Sequence, residues 1–355
     1  MTTQQHDDTR APRDTVELAL LGIFTELLGH TDIGLEESFF DLGGHSFLAV
    51  QLVARVKKVL GRSLPLAALF EDVDDGGTRP TVARLAALLR DGDTESDAPL
   101  VPLRRSGEDT PLFLVHPAGG DLVAYHQFVR TLAAGPPVFG LRPPPVRTGH
   151  AQDVESLAAV YVDSVRAASP DGPYRLVGWS MGGLVAYEMA RRLTEAGATV
   201  DRLVLADTYF GTQLPEFDEA TVLLDFVRHI DFGGRMPRVR KSELRGLPPG
   251  EDIQILVRRL TAAGAVPPGV DLEERLDLYR RHARAAREYE PKPWSGPLTL
   301  VHASTLPQRT RLRAELAWRS RVDGPVDTNT VSGDHFSLMT EPAVSEVARI
   351  VEGRP

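Results

Sequence analysis

The chain of 355 residues is longer than one compact core usually requires, so its length fits either two domains or one large α/β domain. It contains no cysteine, which excludes disulfides, thiolate metal sites and a cysteine nucleophile and suits a reducing cytoplasm. The net charge of −9 is uneven, since residues 1–98 hold 17 acidic against 9 basic side chains, and this acidic first part argues against nucleic-acid binding. No apolar run is long enough to cross a bilayer, so we expect a soluble protein.

The first hundred residues predict a small helical bundle. Residues 1–13 are polar and predict a disordered leader. Apolar side chains then recur at helical spacing after Asp14, a capping residue, and again up to Gly61, a helix terminator. A short turn at 65–70 and a helix at 81–90 follow. We therefore predict a four-helix unit over residues 14–91 and a linker over residues 92–100.

From residue 101 short apolar runs alternate with helical segments. The runs are PLFLVHPAGG, PPVFGL, YRLVGWS, DRLVLAD, GPLTLVHAS and VDTNTVSGDHF. Such alternation predicts a doubly wound, mostly parallel sheet flanked by helices over residues 101–355. Between about 211 and 290 the strand signals vanish and helical stretches appear (218–230, 251–264, 271–289), which predicts an inserted helical lid.

A serine between glycines follows one of these strands, in GWSMGG at residues 178–183. Glycines on both sides allow a sharp strand-to-helix turn that lifts the hydroxyl of Ser180 away from the sheet. The alternative, a glycine-rich turn with an incidental serine, fits the flanking strand and helix less well. Ser180 is therefore the predicted nucleophile.

A serine nucleophile needs a base and a group that orients the base. His335 follows the last strand and is the predicted base, although His302 also lies at a strand end. Asp207 ends the strand DRLVLAD and is the predicted acid. The neighbouring Asp334 is expected to face solvent or to cap the loop.

Negative charge on a tetrahedral intermediate needs backbone N–H donors. Met181 directly follows the serine and supplies one of them. The second is predicted at Ala118, in the loop FLVHPAGG after an early strand. We expect His116 in that loop to shape the backbone and not to act as a base.

A second serine, Ser46, begins the second predicted helix in FFDLGGHSFLAVQLVARV (39–56). A helix N-terminus stabilises an attached phosphate, and Gly43 and Gly44 leave room for a modifying enzyme. On physical grounds alone Ser46 can equally be a helix cap.

The motif LGGHS on a small acidic helical unit resembles the phosphopantetheine site of a peptidyl carrier protein. Residues 101–355 resemble the type I thioesterase domain that ends nonribosomal peptide synthetases and polyketide synthases, a member of the α/β-hydrolase family. The resemblance implies 4'-phosphopantetheine on Ser46, an acyl-enzyme on Ser180 and release of a peptidyl chain by hydrolysis or cyclisation. It implies roles for Asp207 and His335 in the triad and for Ala118 and Met181 in the oxyanion hole.

The same resemblance implies upstream condensation and adenylation domains, a phosphopantetheinyl transferase and a peptidyl substrate as partners. Two departures stand out. Phe47 follows the carrier serine where Leu or Ile is usual, and the loop FEDVDDGGTRP is long, which affects carrier contacts near residues 72–79.

Three alternatives stay open: a general esterase fused to a helical bundle, a non-catalytic module that presents cargo to a separate enzyme, and a free-standing editing thioesterase. The basic stretch RMPRVRKSELR (235–245), with Arg238 and Arg240, is either a solvated loop or a docking surface for the acidic carrier. No metal or nucleotide motif is found.

Overall fold

A computed structural model describes residues 11–30, 32–69, 80–90, 98–133, 135–144, 152–211, 218–230, 239–244, 251–262 and 272–354. The chain divides into two compact units, and the first boundary along the chain falls between Ser96 and Asp97. Within these ranges no helix combines the length and the apolarity that crossing a membrane requires. Most of the predicted leader, the loop at 72–79, most of the linker and Arg238 lie outside the described residues.

Up to Ser96, the described residues of the first unit form three α-helices, α1 (Thr15–Leu28), α2 (Ser46–Leu60) and α3 (Val82–Arg90), and one 3-10 turn (Leu66–Leu69). Asp14 caps α1 by accepting hydrogen bonds from two backbone N–H groups, and a left-handed glycine ends α1 (Gly29) and α2 (Gly61). The apolar faces of these helices form one core, which includes Leu20, Phe24, Phe39 and Leu52. The predicted order of four helical elements is confirmed.

The second unit is built on a seven-stranded sheet with the order β1-β3-β2-β4-β5-β6-β7. The strands are β1 (Leu100–Arg104), β2 (Leu112–Val115), β3 (Val138–Leu141), β4 (Tyr174–Trp179), β5 (Val200–Ala206), β6 (Leu298–Ala303) and β7 (Val326–Val331). All neighbouring pairs are parallel except β1 and β3, which are antiparallel. The predicted α/β-hydrolase class, with a mostly parallel sheet, is confirmed.

Strand β1 corrects the sequence analysis, which assigned residue 100 to the linker and recognised no strand at 100–104. The strand lies at the edge of the sheet and pairs only with β3. Its third residue is Pro102, which lacks an N–H for the sheet and is tolerated at an edge. A proline inside a short run therefore concealed a real strand.

Helices flank the sheet and form the insertion. The flanking helices are α4 (Tyr125–Thr131), α5 (Val154–Ala168), α6 (Met181–Glu195), α11 (Gln308–Arg319) and α12 (Ala343–Glu352). The insertion after β5 contributes α7 (Glu219–Ile230), the short α8 (Lys241–Leu244), α9 (Glu251–Ala262) and α10 (Leu272–Glu288). The predicted helical insertion is confirmed, with α8 in addition to the three expected helices.

Candidate active site

The turn around Ser180 is sterically closed to most side chains. Ser180 lies between β4 and α6 with φ of 59° and ψ of −129°, a left-handed backbone that is rare outside glycine. A Cβ on Gly178 would lie 2.3 Å from the oxygen of Gly182, and a Cβ on Gly182 would lie 2.4 Å from the oxygen of His116. The glycines are therefore required for β4, α6 and the loop after β2 to approach one another.

Three side chains that are distant in the sequence meet at this turn. His335 Nε2 lies 3.1 Å from Ser180 Oγ, and His335 Nδ1 lies 3.2 Å from Asp207 Oδ2. Each distance is within hydrogen-bonding range. The geometry suits a serine whose proton passes to an imidazole oriented by a carboxylate.

Asp207 is held from its other side. Its Oδ1 accepts hydrogen bonds from the backbone N–H of Ala303, at 2.8 Å, and from the hydroxyl of Tyr209, at 2.9 Å. Burial raises the pKa of the Asp207 carboxyl. The hydrogen bonds and charge of His335, Ala303 and Tyr209 together lower the pKa by more than burial raises it, so the net shift is downward. A charged Asp207 keeps the proton of neutral His335 on Nδ1, which leaves Nε2 free to accept the serine proton.

His335 is fixed by contacts outside the triad. The indole N–H of Trp179 donates to the backbone oxygen of His335 at 3.1 Å, and the two rings lie 5.5 Å apart. Asp334 accepts from the backbone N–H groups of Phe336 and Ser337, both at 3.0 Å, and so caps the loop as expected.

The competing base, His302, has different surroundings. It is buried at the end of β6, and its ring stacks on Tyr209 with centroids 6.1 Å apart. Burial lowers its pKa. Its Nδ1 lies 3.4 Å from the Tyr209 hydroxyl, so His302 packs behind the carboxylate.

Ala118 and Met181, the predicted oxyanion donors, line the same cavity as Ser180 and His335. Met181 is the first residue of α6, where backbone N–H groups and the helix dipole favour negative charge. Ala118 lies in a tight turn in which the N–H of Gly120 donates to the oxygen of Pro117 at 2.9 Å.

The cavity has a volume of about 430 Å³ and is lined in part by residues of α7 and α10. It combines apolar walls with two charged side chains of α7, Asp225 and Arg228, whose nearest charged atoms are 3.8 Å apart. Burial raises the pKa of Asp225, although Arg228 and His335 oppose the shift. A substrate entering this cavity therefore meets both polar and apolar groups of the lid.

Sequence reasoning missed Tyr209 and Trp179, which bond to Asp207 and His335. Tyr209 follows Asp207 by two positions, but nothing in that spacing indicates that its hydroxyl turns back to the carboxylate. The side chain of Ser46, in the other unit, lies outside the described residues. Its backbone begins α2, and Gly43 before it has φ of 92°.

Comparison of the sequence with known proteins shows the family to which the chain belongs. The sequence profile of the thioesterase domain matches residues 110–354, which is more than half of the chain. The chain belongs to the thioesterase domain family. A second profile, the phosphopantetheine attachment site, matches residues 19–75 ahead of the thioesterase domain.

Two similar proteins match over nearly the whole of this chain. The chain is 30% identical over 353 residues to a dimodular nonribosomal peptide synthase of Bacillus subtilis, which covers 96% of this chain and 14% of the relative. A crystal structure of a holo four-domain nonribosomal peptide synthetase, AB3403, matches with a TM-score of 0.67 and 29% identity, over 99% of this chain and 27% of that one. The chain thus spans a small part of the length of these relatives.

The thioesterase domain also matches an isolated one. The NocB thioesterase domain, solved as a covalent complex with a fluorophosphonate nocardicin G analog, has a TM-score of 0.51 and 26% identity. The match covers 72% of this chain and 98% of that domain. The thioesterase domain here is therefore similar over nearly the whole length of a known one.

Proposed function

We propose that this chain releases an acyl chain, a peptidyl chain in the context of a synthetase, by moving it from a thioester tethered at Ser46 to Ser180 and then to a second nucleophile. The observation that carries the proposal is the pair of hydrogen-bonding contacts that link Asp207 through His335 to Ser180, at 3.2 and 3.1 Å, on the wall of a cavity that the lid helices line. The family and the order of the two profiles support it.

In the first half-reaction Ser180 Oγ attacks the thioester carbonyl while His335 Nε2 takes the serine proton. The oxyanion of the tetrahedral intermediate accepts hydrogen bonds from the N–H groups of Met181 and Ala118. As the intermediate collapses, the C–S bond breaks and His335 returns the proton to the departing thiol. Asp207 stabilises the imidazolium and fixes its tautomer throughout.

In the second half-reaction His335 removes a proton from the nucleophile that attacks the Ser180 ester. Water gives a free acid, and an amine or hydroxyl of the same acyl chain gives a ring. Since lid helices α7 and α10 line the cavity, how far they exclude water decides between the two products.

Ser46 suits a 4'-phosphopantetheine group, because its backbone begins the 15-residue helix α2, whose N-terminus favours a phosphate ester. Gly44 packs so closely on Phe39 that an added Cβ would lie 2.3 Å from the Phe39 oxygen, so the turn before Ser46 has no space for a side chain at position 44. When bound, the group supplies a thiol on a long flexible arm.

We assign the carrier unit to residues 14–91 and the thioesterase unit to 101–355, in a cytoplasmic synthetase with condensation and adenylation domains upstream and a phosphopantetheinyl transferase as modifying partner.

The test uses the full chain, loaded with a phosphopantetheinyl transferase and an acyl-CoA, followed by intact-protein mass and product analysis. We expect wild type to load and then release the acyl group, Ser46→Ala not to load, and Ser180→Ala to load but retain its cargo. Release by Ser180→Ala at the wild-type rate would favour a module that presents cargo to another enzyme. If the transferase does not modify Ser46 and the chain rapidly hydrolyses soluble esters, the result would favour a general esterase.

A further inference from the structure

The turn that carries Ala118 is held by a buried histidine of its own loop. His116 Nδ1 lies 2.7 Å from the oxygen of Pro117, the same oxygen that accepts from the N–H of Gly120. A carbonyl oxygen only accepts, so His116 carries its proton on Nδ1. The Pro117 carbonyl and the Ala118 N–H belong to one planar peptide group, so these hydrogen bonds set the direction of the Ala118 N–H.

The next peptide group is held from the lid. His282, a fully buried residue of α10, places Nδ1 2.8 Å from the oxygen of Ala118. Its Nε2 lies 3.2 Å from the side-chain oxygen of Gln152, a second acceptor at a longer distance. The rings of His116 and His282 stack with centroids 5.0 Å apart. Both peptide groups that flank the Ala118 Cα are therefore bonded to imidazoles.

The contact of the His282 ring with the Ala118 oxygen is shorter than its contact with Gln152, at 2.8 against 3.2 Å, so we place the single proton of the neutral ring on Nδ1. Burial lowers the pKa of His282 to about 4, against the opposing effect of the hydrogen bond to Ala118. At neutral pH the ring has one N–H, and the Ala118 oxygen is the acceptor at Nδ1. Removing this donor would leave the Ala118 oxygen buried without its lid partner.

The other cavity-lining lid helix contacts the same loop. A Cβ on Gly119 would lie 1.9 Å from Nε2 of His229 in α7, so this glycine is what lets α7 approach. Arg275 in α10 pairs with Asp121, just beyond the loop, at 2.8 Å. The lid is therefore packed on the loop at several points, but only His282 bonds to the backbone of Ala118 among the described residues.

We propose that His282 is a positioning residue for acyl transfer: by holding the peptide group that follows the Ala118 Cα, it ties this turn to lid helix α10 and supports the direction of the Ala118 N–H toward the oxyanion. The inference rests on the proposed function, since it takes Ala118 as an oxyanion donor. It follows that acyl transfer depends on the contact between α10 and this loop.

The test compares two replacements of His282 in the full chain. Asparagine places an amide N–H where Nδ1 lies, whereas phenylalanine keeps a planar ring without a donor. We expect His282→Phe to lower the rate of Ser180 acylation about 10- to 100-fold, because small misplacements of catalytic groups have effects of this size. We expect the KM to stay within about twofold and His282→Asn to remain within about threefold of wild type.

A binding measurement separates this role from a general loosening of the lid. An alkylboronic acid forms a tetrahedral adduct with the serine, while the matching N-alkyl amide binds without reaction. His282→Phe should lower the affinity for the boronic acid by the same factor as it lowers the acylation rate. The affinity for the amide should stay within about twofold of wild type. Leu276→Ala, which removes a buried side chain of the same helix and keeps His282, should not change the ratio of the two affinities.

Three results would overturn the proposal: wild-type acylation and boronate binding in His282→Phe, an equal loss in His282→Asn and His282→Phe, or the same change of ratio in Leu276→Ala. If wild type itself forms no acyl-enzyme on Ser180, the proposed function fails instead. The two failures are thus distinguishable in one set of experiments.

Discussion

Ser46 and Ser180 each stand at the start of a 15-residue helix and beside glycines, yet their surroundings differ. Ser46 follows an extended residue, His45 with φ of −139°, and its helix begins without positive φ at the serine. Ser180 itself has φ of 59° and lies within hydrogen-bonding distance of His335. Ser46 is thus suited to modification by another enzyme, and Ser180 to nucleophilic attack. The difference lies in the positive φ of Ser180 and in the neighbouring His335.

The substitution with the largest expected effect on Ser180 relative to Ser46 is at Asp207, the carboxylate that contacts His335. Asp207→Asn should lower the rate of acyl transfer to Ser180 by about 10³- to 10⁴-fold, since the amide no longer holds the proton of His335 on Nδ1. Loading of Ser46 should not change. Single-turnover acylation followed by mass spectrometry measures both.

The control is Asp334→Asn, beside the same histidine. The asparagine can still accept from the loop N–H groups, so we expect acylation within about threefold of wild type. Equal losses in the two variants would contradict the assignment of Asp207.

The glycines of the two turns provide a reciprocal test. Gly182→Ala sets a Cβ 2.4 Å from the backbone oxygen of His116 and should reduce acylation of Ser180 at least about 100-fold, with loading of Ser46 unchanged. Gly44→Ala sets a Cβ 2.3 Å from the oxygen of Phe39 and should slow loading of Ser46 at least tenfold. Its reaction with a soluble acyl thioester should remain normal.

Thermal denaturation of both variants shows whether each unit still folds. If Gly182→Ala also prevented loading of Ser46, or Gly44→Ala also prevented acylation by the soluble thioester, the two turns would not act separately.

Acid should act on the thioesterase unit through its buried histidines. The pKa of His282 falls from an ordinary 6.5 to about 4, mainly through burial, so the unfolded chain binds a proton that the folded chain does not between these pH values. The free energy of unfolding is therefore unaffected by His282 above pH 6.5. It falls as the pH drops toward 4, by up to about 3 kcal/mol for this one group.

Urea denaturation between pH 7 and 4.5 measures this loss. His282→Phe should show a shallower fall in the free energy of unfolding than wild type. Parallel pH profiles in the two proteins would contradict the burial of a neutral His282.

The smallest effect is expected at Tyr209. Tyr209→Phe removes one of the hydrogen bonds to Asp207 and leaves those from Ala303 and His335, so acylation should slow about three- to tenfold. The measurement is the same single-turnover assay. A loss as large as that of Asp207→Asn would mean that Tyr209 has a further role in the reaction.

Local backbone rules made several features predictable from the sequence. The capping by Asp14, the glycine ends of α1 and α2 and the strand-to-helix turn at Ser180 depend on residues within a few positions of one another. The meeting of Ser180, Asp207 and His335 was expected because the carboxyl ends of parallel strands share one edge of a sheet.

Features that depend on packing between distant elements were not predictable. His282 reaches Ala118 across 164 positions, and its helical spacing on α10 marks it only as a buried residue. Strand β1 was missed because Pro102 opposes a strand unless the strand lies at an edge, and edge position is a property of the assembled sheet. The stacking of Tyr209 on His302 similarly depends on β5 and β6 being neighbours in the sheet.

The central claim is that cargo passes from Ser46 to Ser180, and time-resolved peptide mapping of the loaded wild-type chain tests it most directly. We expect the acyl mass to appear first on the peptide that contains Ser46, then on the peptide that contains Ser180, and then as free product. Release of product with the acyl mass at no time on the Ser180 peptide, under conditions that stabilise an ester, would contradict the account.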